Sequence, residues 1–79
     1  MLLAVRAARL YEMYSVPEVA WILEEPLRTV QQALAGYGVI TGRAAVGLRA
    51  HGWSLEEIAR EWGVSVRWVR DMIASEEGA

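Results

Sequence analysis

One pattern is written twice in this chain, and a duplication restricts the available folds more than any composition does. Residues 15–34 read SVPEVAWILEEPLRTVQQAL, residues 54–73 read SLEEIAREWGVSVRWVRDMI, and the two align without a gap. Ser15 matches Ser54, Glu18 matches Glu57, Ala20 matches Ala59, Arg28 matches Arg67 and Val30 matches Val69. Apolar positions correspond as well: Val16 with Leu55, Val19 with Ile58, Leu23 with Trp62, Leu34 with Ile73. Upstream, Leu10 to Tyr14 matches Leu48 to Trp53 provided the second copy carries one extra glycine. Such a repeat builds one supersecondary unit twice and packs the copies together.

Each copy carries helix signals of its own. Ser15-x-x-Glu18 and Ser54-x-x-Glu57 are capping boxes, in which the serine oxygen takes an orphan amide and the glutamate reaches back to the cap. Pro17 falls in the first turn, where it breaks no internal hydrogen bond. Leu55, Ile58, Ala59 and Trp62 keep the i, i+3, i+4, i+7 spacing of one buried helix face, and Val16, Val19, Ala20 and Leu23 repeat it. Gly63 then stops the helix as a left-handed cap would. A new helix follows near Ser65 with Val66, Val69 and Ile73 inward, as Leu27, Val30, Leu34 and Tyr37 are in the first copy. Short helix, tight turn and second helix make a helix-turn-helix. A preceding helix closes each unit, over about residues 2–14 and 42–51, and Gly36, Gly38 and Gly42 mark the connection. The expectation is an all-α chain: two three-helix units in tandem, residues 1–40 and 41–79, packed as one small domain.

Composition narrows the function. A chain of 79 residues that is 54% hydrophobic can bury one modest core. No apolar run approaches the ~18–20 residues that cross a bilayer, and the apolar start is broken by Arg6 and Arg9, so a cytoplasmic protein without membrane contact is expected. Cysteine is absent and His51 is the one histidine, so no metal site and no cofactor are expected. His51 precedes Gly52 at a helix end, with no nucleophile or acid motif beside it; no enzyme or small-molecule substrate is expected. Net charge is −2, which opposes nucleic-acid binding unless the charges are segregated.

The second copy, LRAHGWSLEEIAREWGVSVRWVRDMI, resembles the homeodomain-like helix-turn-helix of site-specific recombinases, transposases and sigma-factor region 4. Gly52-Trp53-Ser54, Glu57-Ile58-Ala59, Trp62-Gly63-Val64-Ser65 and Arg67-x-Val69 carry the likeness. The first copy is similar through Glu18-Val19-Ala20 and Leu27 to Leu34, and departs at its turn, where Glu24-Glu25-Pro26 replaces Gly-x-Ser. The resemblance implies binding of duplex DNA by helices 26–35 and 65–75 in the major groove. Carried over by position, the contacting residues are Leu27, Arg28, Gln31 and Gln32, and Ser65, Val66, Arg67 and Arg70. Arg pairs bidentately with guanine and Gln with adenine. A transcriptional regulator or a mobile-element or phage accessory factor is implied.

Two departures from the repeat point to an interface. Trp21 and Ile22 stand where the second copy has Arg60 and Glu61, and Trp68 stands where the first has Thr29. Packing of these side chains between the copies is the expectation in so small a chain; a homodimer face is the alternative. A protein-interaction module, with a second copy or a protein of the transcription machinery as partner, is therefore the competing reading. Val66 and Asp71 on the second recognition helix also favour it.

Overall fold

Helices form where the caps and the periodicity put them. A computed structural model describes residues 2–78 and contains no strand among them. The six helices are α1 (Leu3–Tyr11), α2 (Val16–Leu23), α3 (Leu27–Gly36), α4 (Gly42–Ala50), α5 (Leu55–Trp62) and α6 (Val66–Glu77). The fold is all-α. A constant shift of 39 residues carries α1 onto α4 and α2 onto α5 end for end, and starts α6 where α3 starts.

The extra glycine expected in the second copy is therefore no insertion. Gly52 occupies the place of Met13 and takes φ +94°, which lets Trp53 N–H reach back to the Leu48 carbonyl at 3.1 Å. The first copy closes differently: Met13 and Tyr14 N–H both bond the Leu10 carbonyl at 3.0 Å. That tight turn ends α1 at Tyr11, short of residue 14, before Ser15 must turn extended to cap α2.

Both capping residues work as their spacing suggested. Ser54 N–H donates to Glu57 Oε1 at 2.9 Å, and Glu57 N–H donates to Ser54 Oγ at 3.1 Å. In the first copy Glu18 Oε1 accepts from the N–H of Ser15 at 3.1 Å and from its hydroxyl at 2.8 Å. The backbone bond first, and the serine hydroxyl second, hold the Glu18 and Glu57 carboxyls below the usual carboxylate range.

The turns are repeated even where the residues are not. Gly63 ends α5 at φ +70° and Glu24 ends α2 at φ +55°. Val64 N–H then bonds the Ala59 carbonyl, and Glu25 N–H the Ala20 carbonyl, both at 3.0 Å. A glutamate in the left-handed region costs roughly 1 kcal/mol that glycine avoids.

Within the first unit α1, α2 and α3 pack on one another; α4, α5 and α6 do the same in the second. Val16, Val19, Ala20, Val30 and Leu34 from the first unit, and Ala45, Ile58, Ala59, Trp62 and Val69 from the second, join one apolar cluster. Helices α2 and α5 meet directly, and Trp62 Nε1–H donates to Tyr11 Oη at 2.8 Å across the join. Tyr37, expected inward, is instead 55% exposed, because α3 stops at Gly36 and the chain reverses at Gly38 (φ +86°). The molecule measures 35 × 22 × 20 Å.

Candidate nucleic-acid interface

Helix α6 begins cleanly and presents one stripe to solvent. Ser65 Oγ accepts from Trp68 N–H at 3.0 Å, so this exposed serine, read from sequence as a contact residue, is the cap of α6. Val66 is half-buried against the core and Val69 is fully buried. Arg67, Arg70, Asp71 and Ala74 are all exposed and keep the i, i+3, i+4, i+7 spacing of one helix face. No acid lies in the first turn, so two guanidiniums stand within the opening six residues of a capped helix.

The same stripe on α3 is Arg28, Gln31, Gln32 and Ala35, and it is placed differently. Together with Ile40, Val64, Trp68 and Met72 it lines a groove of about 220 Å³ between α3 and the second unit. Arg28 and Gln32 are exposed. Gln31 is not available: its Nε2 donates to the Trp62 carbonyl at 2.9 Å and to the Gly63 carbonyl at 3.0 Å, which uses both amide hydrogens. Leu27, though 36% exposed, also leans on the second unit. A Cβ built on Gly63 would lie 3.2 Å from both Leu27 methyls and 3.0 Å from Pro17 Cγ. Base contact by Leu27 and Gln31, expected from position, thus conflicts with the work these side chains do inside the molecule.

Charge is only partly segregated. Helix α3 contains no acidic residue, and Arg28 lies beside Val64 and Trp68 near the start of α6. Glu18, Glu57 and Glu61 gather with Ser15, Trp53 and Arg60 where α2 and α5 meet. Burial pushes the Glu61 carboxyl up, with the Glu18 charge adding to the shift and the Tyr11 hydroxyl opposing it. Burial likewise pushes the Tyr11 phenol up to about 12, against the Trp62 hydrogen bond and with help from the Glu61 charge. The α3–α6 side is therefore acid-free only along α3: Asp71 lies on the exposed α6 stripe, and Glu76 and Glu77 close the same helix.

The expected packing of Trp21 and Ile22 between the copies does not occur: Trp21 is 82% exposed and Ile22 is 40% exposed. Ile22 borders Arg6, Arg9 and Leu10 of α1. Trp68 stands edge-on to Trp62, with ring centroids 6.4 Å apart and planes at 86°, and stays partly open. His51 caps the end of α4, its Nδ1 lying 2.8 Å from the Gly47 carbonyl. Among the described residues no cluster of His, Cys, Asp or Glu is arranged to hold a metal ion, and no helix is long and apolar enough to cross a membrane.

Of the α6 residues named from sequence, Arg67 and Arg70 lie on the exposed stripe and Ser65 and Val66 do not; the seat on which the second turn rests was missed. Pro17, Leu27, Gln31 and Tyr11 build that seat, and each touches a residue far off in sequence. The one local hint was the repeat itself, since Gln31 and Arg70 occupy the same register with different chemistry.

Residues 43–79, which include nearly all of α4 and the whole of α5 and α6, match the family model of a homeodomain-like domain. No curated protein and no solved structure matches the chain.

Proposed function

Taking residues 43–79 as a homeodomain-like helix-turn-helix, a kind of domain that supports DNA binding, we propose that this chain is a small regulator or mobile-element or phage accessory factor that binds duplex DNA through α6. The observation that carries the reading is the exposed Arg67–Arg70 stripe on a helix capped by Ser65. In the major groove, such arginines reach guanine O6 and N7 bidentately or hold flanking phosphates, each good base pairing being worth roughly 1–3 kcal/mol of discrimination. Arg28 and Gln32, at the rim of the neighbouring groove, are placed to reach adjacent backbone phosphates. Ser65 and Val66 hold the helix and do not read bases.

The test is anisotropy of labelled random-sequence duplex DNA titrated with the protein over a range of salt. Binding should weaken steeply as salt rises, with a slope set by the number of phosphates neutralised. No binding at low salt, or binding indifferent to salt, refutes the proposal.

Trp21 favours a second reading, as a protein-interaction module. An 82% exposed indole beside a part-exposed isoleucine is a strong anchor for another protein surface, a second copy or a component of the transcription machinery. Light scattering of the wild type and Trp21→Ser decides the homodimer case: a dimer that becomes monomeric supports it, and a wild-type monomer removes it.

A further inference from the structure

We infer that the first unit holds the second unit's recognition helix in place and does not itself read DNA, with Gln31 as the positioning residue. The inference rests on the DNA-binding reading above and deepens it. The angle between α5 and α6 is set by the three residues that join them, Gly63, Val64 and Ser65. The carbonyls at the C-terminal end of α5 have no partner within their own helix. Gln31, reaching from α3, supplies hydrogens to two of them in succession, at 2.9 and 3.0 Å.

Other contacts from the first unit converge on the same turn. Pro17 and Leu27 close over the Cα of Gly63 so tightly that a Cβ there would meet both at 3.0–3.2 Å. Tyr11 Oη takes the Trp62 indole hydrogen at 2.8 Å. Four side chains from three helices thus brace one turn, in donor, acceptor and apolar contacts, and fix its direction of exit.

The register shows what this arrangement displaces. Gln31 and Arg70 are equivalent positions of the repeat, yet Gln31 is half-buried on a partner and Arg70 is exposed. Among the described residues no segment covers Arg70 as the end of α5 covers Gln31. Gln31, at the centre of the α3 stripe, is therefore committed to the join, and one recognition helix reads bases, with Arg28 and Gln32 left to flanking phosphates. The footprint covers one major-groove segment, not two segments about one helical turn (~34 Å) apart.

The full chain is compared as wild type, Gln31→Met, Gln31→Glu and Arg67→Ala. Met keeps the length of the side chain without the donors; Glu also turns an oxygen on the two carbonyls. Two measurements are made: affinity for a panel of duplexes recovered from a random pool, and amide hydrogen exchange without DNA. Gln31→Met should lower affinity about tenfold by the same factor on every duplex, leaving their ranking and the salt slope unchanged. It should also speed exchange at Val64 and through the first turn of α6 about tenfold relative to α1, and Gln31→Glu should do more. Arg67→Ala should instead reorder the duplexes and flatten the salt slope. Reordering by Gln31→Met would mean that Gln31 reads bases, and overturns the inference. Unaltered exchange overturns it whether or not DNA is bound, and faster exchange with unchanged affinity overturns the link to DNA. A wild type that binds none of the duplexes refutes the DNA reading, while the exchange measurement still decides whether Gln31 holds the turn.

Discussion

The two units share a register to the residue but differ in what their third helices face. Helix α6 shows its whole polar stripe to solvent; α3 leaves Arg28, Gln32 and Ala35 exposed at the edge of a groove and spends Gln31 on its neighbour. The turns differ in the same sense. Gly63 is covered by Pro17 and Leu27, whereas Glu24 keeps the same left-handed conformation in the open. A duplicated motif thus supplies one copy that is braced and exposed for contact, and one that does the bracing. Similarity of backbone says little about equivalence of role; the surroundings of each stripe decide it.

The sharpest way to break this asymmetry is at the matched positions Leu23 and Trp62. Trp62 is 1% exposed and joins both units, so Trp62→Ala should cost about 3–5 kcal/mol, a large part of the stability of a domain this size. Leu23→Ala, at a half-buried site, should cost clearly less, and urea denaturation measures both. Next comes binding. Arg67→Ala with Arg70→Ala should reduce duplex affinity by about 100-fold or more, whereas Arg28→Ala with Gln32→Ala should change it only several-fold, since rim phosphate contacts are the weaker set. Equal losses would make the two units equivalent readers. At the turns, Gly63→Ala should destabilise by roughly 1–3 kcal/mol through its left-handed backbone and the crowding by Pro17 and Leu27. Glu24→Gly should stabilise by up to about 1 kcal/mol, because it relieves the same conformation with nothing packed upon it.

The smallest effect concerns the join at Tyr11. Tyr11→Phe leaves the Trp62 indole without its acceptor and should cost about 1 kcal/mol. Its pH dependence has a defined sign. The folded-state phenol titrates near 12 against 10.0 for an ordinary tyrosine, so the native state favours the protonated form. That contribution is complete below pH 10 and is lost as pH rises toward 12. The alkaline limb of stability should flatten in Tyr11→Phe, as read by melts at a series of pH values.

What sequence made legible was whatever neighbours along the chain decide. The Ser–Glu spacings, the buried 3.6-residue faces and the stop at Gly63 placed all six helices and most of the core. Errors arose where distant residues decide. Gln31 has the chemistry of a base reader, and only the arrival of the Trp62 and Gly63 carbonyls assigns it elsewhere. Trp21 looked like filling for the space between the copies, but the copies meet through α2 and α5 on a different side of that helix and leave it uncovered. Gly52 read as an insertion because glycine signals a turn without stating its length, and the structure accommodates it by changing the handedness of one residue.

The shared apolar cluster has a consequence for how the molecule comes apart. Since Trp62 packs in it and reaches Tyr11, peeling one half away would strip solvent protection from the other. The expectation is that neither half stands free, so that melting is a single cooperative event across both halves rather than two successive ones. Damage to the interior anywhere in the chain then withdraws the arginine-bearing helix from service as a whole, with no half-working intermediate.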